Sequence, residues 1–114
     1  MIKRYAKRFP HALRGIVHAT RTDFSFRTQV YLGLAVLATA VYLFRPLTET
    51  ELLFLVLAWF LILITELQNS ALEAALDRMH PELHQEIGHS KDLAAGSVLI
   101  AGLFLIIVIT TIWW

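Results

Sequence analysis

From Leu52 to His80 the sequence contains neither glycine nor proline. A run of that length without a breaker predicts one long helix. Its first half, Leu52 to Thr65, is strongly apolar, and its second half reads Glu66-Leu67-Gln68-Asn69-Ser70-Ala71-Leu72-Glu73-Ala74-Ala75-Leu76-Asp77. At about 100° per residue, Glu66, Asn69, Glu73 and Asp77 fall within roughly 80° of one another. One helix therefore joins a membrane-like segment to a stripe of carboxylates and an amide. An ionised carboxylate at a bilayer centre costs at least ~3 kcal/mol on insertion scales, so carboxylates found there mark a site.

The rest of the chain suits a membrane too. Of its 114 residues, 57% are hydrophobic, and mean hydropathy is +0.61. This predicts one domain, residues 1–114, of the all-α membrane class. A span needs ~20 mostly apolar residues. Leu93 to Trp114 carries no charge, Leu52 to Leu76 is long enough, and Phe26 to Phe44 begins beside Arg27 and ends at Arg45-Pro46. Transmembrane helices are therefore expected at 26–44, 52–76 and 93–114.

Positive charge sets the orientation. Lys3, Arg4, Lys7, Arg8, Arg14, Arg21 and Arg27 precede or open the first span, and the second connection, Asp77 to Asp92, adds Arg78 and Lys91. The positive-inside rule places both on the cytoplasmic side, with Trp113 and Trp114 at the far interface. The basic N-terminus has no short apolar core after it, which argues against a signal peptide. Residues 1–22 instead put Ile2, Tyr5, Phe9, Leu13, Ile16 and Val17 on one side, as an amphipathic surface helix does. Basic residues gathered at one leaflet favour anionic lipid or phosphate over nucleic acid as partner.

The stripe offers two kinds of chemistry. Carboxylates near water, such as Glu73 and Asp77, suit a divalent cation such as Mg²⁺, which prefers oxygen ligands and accompanies phosphates. Glu66, deeper by about 10 Å at ~1.5 Å per residue, is a candidate general base for a hydroxyl at the membrane surface. Asp23 falls at the same depth as Glu73, either as a cap of the first span or as a second carboxylate on one cation. Lys91, just before a helix, suits a phosphate. A structural reading stands beside these: Glu66 and Glu73 neutral, or paired with Arg27 or Lys91, with Ala71, Ala74 and Ala75 allowing close helix packing. Ser90 or Asp92 would then cap the third span. His80, His84 and His89 do not form a zinc set, because Pro81 separates the first two and no ligands surround an open position. The chain has no cysteine, which excludes disulfides and thiolate chemistry. No Walker A loop or GxGxxG is present, so any nucleotide must be held by side chains and metal.

These residues resemble the small prokaryotic integral-membrane diacylglycerol kinases, a family that includes the undecaprenol kinases. Glu66 to Asp77 is similar to the family's E-x-x-N-[ST]-A-[IL]-E-x-x-x-D, and Lys91-Asp92-Leu93-Ala94-Ala95-Gly96-Ser97-Val98-Leu99 to its K-D-x-x-[AS]-[AG]-x-V-L. The likeness covers almost the whole chain. It implies an ATP-dependent lipid kinase in the bacterial inner (cytoplasmic) membrane, N-terminus in the cytoplasm. It implies a homotrimer with sites shared between subunits. By position, Glu66 would be the catalytic base, and Asp23 and Glu73 the Mg²⁺ ligands. Arg4, His11, Asp23, Glu73, Glu82, Leu83, His84, Lys91 and Asp92 would lie along the ATP site. Phe24, Ser25, Phe26, Arg27, Thr28, Glu66 and Ala95 would lie along the lipid site, with Asn69 and Asp77 in support. Asp23 replaces the family's usual Glu. Gln29, His11 and Leu83 also depart from what many relatives carry. The acceptor implied is diacylglycerol, with undecaprenol the alternative. A cation or proton channel, or a non-catalytic membrane scaffold, is the reading from another class, and neither needs Lys91-Asp92.

Overall fold

The computed structural model describes residues 1–43, 46–80, 82 and 84–114. Among these the chain is all-helical: α1 (Ile2–Thr22), α2 (Phe24–Leu43), α3 (Glu49–Met79) and α4 (Gln85–Trp113). α2, α3 and α4 are each long and apolar enough to cross a membrane. α1 packs on α2, α2 on α3, and α3 most extensively on α4.

Asp23 makes the elbow between α1 and α2. Its own N–H ends α1 by donating to the Ala19 carbonyl at 2.8 Å, and its backbone is extended there. Its Oδ1 then accepts the Phe26 N–H at 3.2 Å, and its carbonyl accepts from Arg27 at 3.0 Å. One residue thus satisfies groups at two helix ends that would otherwise lack partners.

α3 starts with a capping box. Thr48 Oγ1 accepts from the Glu51 N–H at 3.1 Å, and Glu51 Oε1 accepts from the Thr48 N–H at 3.0 Å. Thr48→Ala should cost about 1 kcal/mol, seen as a lower unfolding midpoint in a detergent titration with phosphotransfer unchanged. An unmoved midpoint would mean the box adds nothing in a membrane.

The apolar core lies at this same end of the bundle. Ala40, Leu55, Ala58, Val108 and Ile112 form a buried cluster. Ala58 has no exposed surface, as a small residue at a close helix crossing should not. Large side chains such as Leu103, Ile106 and Ile107 point outward, which suits lipid rather than water.

α3 has 31 residues, so at ~1.5 Å per residue it is ~46 Å long against a ~30 Å hydrocarbon core. If Thr48 marks one interface, the polar half of α3 emerges at the other. α4 behaves likewise. The sequence suggests a connection up to Asp92 with a cap at Ser90 or Asp92, but the helix begins at Gln85, and Ser90 Oγ donates to the Glu86 carbonyl at 3.2 Å. The reason is tertiary: the polar first turns of α4 lie beside α3, where Lys91 meets Asp77 at 2.5 Å.

At Gly33 of α2, Trp59 of α3 fills the space a side chain would take. The Trp59 Nε1–H donates to the Gln29 carbonyl at 3.0 Å.

Candidate functional site

Eight residues between the core and the polar hairpin end line a cavity of about 340 Å³: Asp23 and Ser25 at the elbow, Glu66, Asn69, Ser70 and Glu73 on α3, and Ala95 and Val98 on α4. The 3.6-residue period places the α3 members on one face. Glu66 is the one charged residue buried among those described, with 9% of its surface exposed. It is nearest the apolar core, eight positions past Ala58, about 12 Å along the axis.

Hydrogen bonds order the walls of the cleft. The Ser70 hydroxyl donates to Asp23 Oδ2. Asn69 Nδ2 donates to Glu73 Oε1 over a long 3.4 Å. The Asn69 Oδ1 is buried and accepts nothing, so an unused acceptor stands beside the carboxylates. Asp23, Glu66 and Glu73 bring three carboxylates to this one cleft. Like charges in so small a space repel, which favours a cation among them.

The expected pairing of Glu66 or Glu73 with Arg27 or Lys91 is not found among the described residues. Arg27 lies over the Phe24 ring at 5.9 Å and reaches the Arg21 carbonyl at 3.5 Å. Lys91 is taken by Asp77. Asp77, though on the same stripe, does not line the cleft and is exposed.

The residues expected along a lipid divide similarly. Ser25, Glu66 and Ala95 line the cleft. Phe26 is buried, while Phe24 and Thr28 are exposed. Those expected along ATP are more scattered. Asp23 and Glu73 are in the cleft. Lys91 and Asp92 are on the first turns of α4, and Asp92 faces a separate open groove with His89 and Ser97. His84 Nε2 is 3.6 Å from Glu82, both exposed. His11 Nδ1 is 2.6 Å from an Arg14 guanidinium nitrogen, and Arg4 is free on the surface of α1. Leu83 and Phe44 lie outside the described residues. Sequence reasoning gave no role to Ser70. Its signal was available: four residues beyond Glu66, it shares that residue's face.

Among the described residues, no three or more His, Asp or Glu side chains close around a metal by themselves. Mg²⁺ typically takes one or two carboxylates and completes its shell with water and substrate phosphates. Asp23 and Glu73 supply such oxygens, and the chain has no cysteine to favour a softer metal.

Residues 10–113 match the family described as prokaryotic diacylglycerol kinase. The Escherichia coli K12 protein named diacylglycerol kinase is 30% identical over 112 residues, covering 97% of this chain and 85% of that one. The Haemophilus influenzae Rd protein of the same name is 30% identical over 91 residues, 80% of this chain and 75% of its own. The Bacillus subtilis 168 protein named undecaprenol kinase is 31% identical over 99 residues, 87% and 79% respectively. With the match running through α2, α3 and α4 and the residues of the cleft, this chain belongs to the prokaryotic diacylglycerol kinase family.

Proposed function

We propose that the chain is a lipid kinase that moves the γ-phosphoryl group of ATP to the hydroxyl of a membrane lipid alcohol, diacylglycerol first, giving phosphatidic acid. The observation that carries this is the meeting of Asp23, Glu66 and Glu73 in one cleft of an otherwise apolar helix bundle. Family membership supports it, and the undecaprenol kinase among the relatives supports undecaprenol as the second acceptor.

The chemistry follows from position and charge. The lipid hydroxyl enters beside Ser25 and Ala95, and its oxygen attacks the γ-phosphorus. The bond from that phosphorus to the β-γ bridging oxygen breaks, ADP leaves, and the hydroxyl proton passes to the Glu66 carboxylate. Glu66 suits this role because it is the buried carboxylate of the cleft and, among the described residues, has no ion pair to surrender. Asp23 and Glu73 would hold Mg²⁺, with Asn69 steadying Glu73. The bound ion supplies neutralisation of phosphate charge. Lys91 uses one of its three N–H donors on Asp77, leaving two for phosphate oxygens. Asp92, Glu82, Leu83, His84, Arg4 and His11 complete the nucleotide side, with Phe24 to Thr28 along the lipid. The assembly is a homotrimer of single-domain chains in the bacterial inner membrane, with α1 on the cytoplasmic surface.

The test is transfer of labelled phosphate from ATP by purified protein in mixed micelles, with diacylglycerol and undecaprenol presented separately. Labelling of one lipid supports the reading and names the acceptor. Folded protein that labels neither, yet passes ions in liposomes without ATP, would sink it in favour of a channel. Glu73→Gln should lower turnover at fixed Mg²⁺ by on the order of 10²-fold or more, because several kcal/mol of charge stabilisation are lost. High Mg²⁺ should recover part of that loss. A Glu73→Gln protein with the parent's Mg²⁺ dependence would remove Glu73 from the metal site.

A further inference from the structure

Six hydroxyls within the helices of this chain share a habit. Thr20, Thr22, Thr65, Ser90, Ser97 and Thr111 each donate to a carbonyl of their own helix, three or four residues upstream. That is the ordinary bond of a Ser or Thr inside a helix. Ser70 departs from it and donates across the bundle to Asp23 Oδ2, 47 positions away in sequence. A helical serine that forgoes its local acceptor for a distant carboxylate is tied to that carboxylate's placement.

Asp23 needs such a tie. It stands at the elbow, outside both helices, with an extended backbone. Its Oδ1 is engaged by the Phe26 N–H, a bond that caps α2 and is indifferent to α3. Among the described residues, only two side-chain hydrogen bonds join the α1–α2 arm to α3: Trp59 to the Gln29 carbonyl, and Ser70 to Asp23. Ser70 is the one that acts at the cleft. Each Asp23 oxygen accepts one hydrogen bond here, and each retains a further lone pair for another partner.

We propose that Ser70 is a positioning residue: its hydroxyl turns the Asp23 carboxylate toward Glu66 and Glu73, so that the elbow presents a metal-binding oxygen to the cleft. This rests on the cleft being a metal–nucleotide site. It goes further in assigning the placement of Asp23 to one hydroxyl of another helix. The role assigned to Ser70 runs through Asp23, the one side chain among those described that its hydroxyl meets.

The experiment measures binding of Mn²⁺, as a probe ion, together with a non-hydrolysable ATP analogue, by electron paramagnetic resonance on the full chain in micelles. The Mg²⁺ dependence of phosphotransfer is measured alongside. Ser70→Ala should weaken Mn²⁺ binding and raise half-saturating Mg²⁺ by about 10-fold, the scale of a lost outer-shell partner. The change in half-saturating Mg²⁺ should exceed any change in turnover at saturating Mg²⁺, as expected of a residue that acts on a metal ligand. Ser70→Thr, which keeps the hydroxyl, should restore both readouts. In an Asp23→Asn background Ser70→Ala should add little, because the charged metal ligand that Ser70 positions is already gone. Should Ser70→Ala fail to fold, the near-isosteric pair Ser70→Thr and Ser70→Val gives the same comparison. Parent-like Mn²⁺ binding in Ser70→Ala, equal loss with and without Asp23→Asn, or no Mn²⁺ binding by the parent would each overturn the proposal. Binding is read without turnover, so a parent that binds Mn²⁺ and phosphorylates no lipid would sink the kinase reading while this one is still decided by the titration.

Discussion

Glu66→Gln is expected to leave the helix bundle folded and to lower phosphotransfer by about 10²–10⁴-fold, the usual contribution of a positioned general base. The two side chains have nearly the same shape, so the close packing around this buried position is kept. No ion pair is broken, because Glu66 has none among the described residues. Replacing a carboxylate by a neutral amide at membrane depth also lowers the cost of burial. The variant should therefore unfold at or above the parent's midpoint and still bind nucleotide with Mn²⁺. The pattern differs from that of Glu73→Gln, whose defect should respond to Mg²⁺, whereas added Mg²⁺ should not rescue Glu66→Gln. Near-normal turnover in folded, nucleotide-binding Glu66→Gln protein would take the base away from Glu66. Loss of folding would return weight to a structural role for the stripe.

The contrast between these two variants was legible in the sequence, because helical spacing alone puts Glu66 and Glu73 on one face at different depths. The elbow was half legible. An Asp before an apolar run reads as a cap, and the structure bears that out with the Phe26 N–H. That its second oxygen meets Ser70 depends on how α2 leans on α3, which no local pattern encodes. The start of α4 was misread for a similar reason. Residues 85–92 are polar, and polarity beside a proline resembles a loop until α3 is present to pair Asp77 with Lys91. The scatter of the residues expected along ATP has another origin. A motif places residues along the chain, but Arg4 and His11 lie on a surface helix that contacts the rest chiefly through α2, so spacing could not say what they face. The Gly33–Trp59 contact was invisible, since one glycine in an apolar run gives no sign of what fills the space beside it.

That contact supports the largest stability effect expected in the chain. A side chain on a helix leans toward the N-terminus and covers the preceding turn. At position 33 it would cover the carbonyl of Gln29, four residues back. Glycine leaves that carbonyl open, and the Trp59 indole enters and donates to it at 3.0 Å. A Cβ added at Gly33 would lie 1.9 Å from Trp59 Nε1 and 2.3 Å from Cε2. Both are ring atoms, so no rotation of a flexible end relieves the clash, and the whole indole must withdraw. Gly33→Ala should then cost ~1–3 kcal/mol for overpacking and up to ~1.7 kcal/mol for a hydrogen bond lost within the membrane. Trp59→Leu makes no clash and loses the bond and part of the packing, so it should cost less. In the double variant Gly33→Ala/Trp59→Leu the clash is gone, so the two costs should fall well short of adding. Activity should follow, though less steeply. Trp59 lies seven residues before Glu66, on nearly the same face of α3, and a displaced indole pushes α2 away at the distance that holds Asp23 against Ser70. Detergent unfolding midpoints for the four proteins make the measurement, with tryptophan fluorescence of the parent and Gly33→Ala taken in a Trp113→Phe/Trp114→Phe background so that Trp59 alone reports. A Gly33→Ala protein as stable as the parent, with its tryptophan emission unmoved, would show that α2 and α3 do not meet in this register.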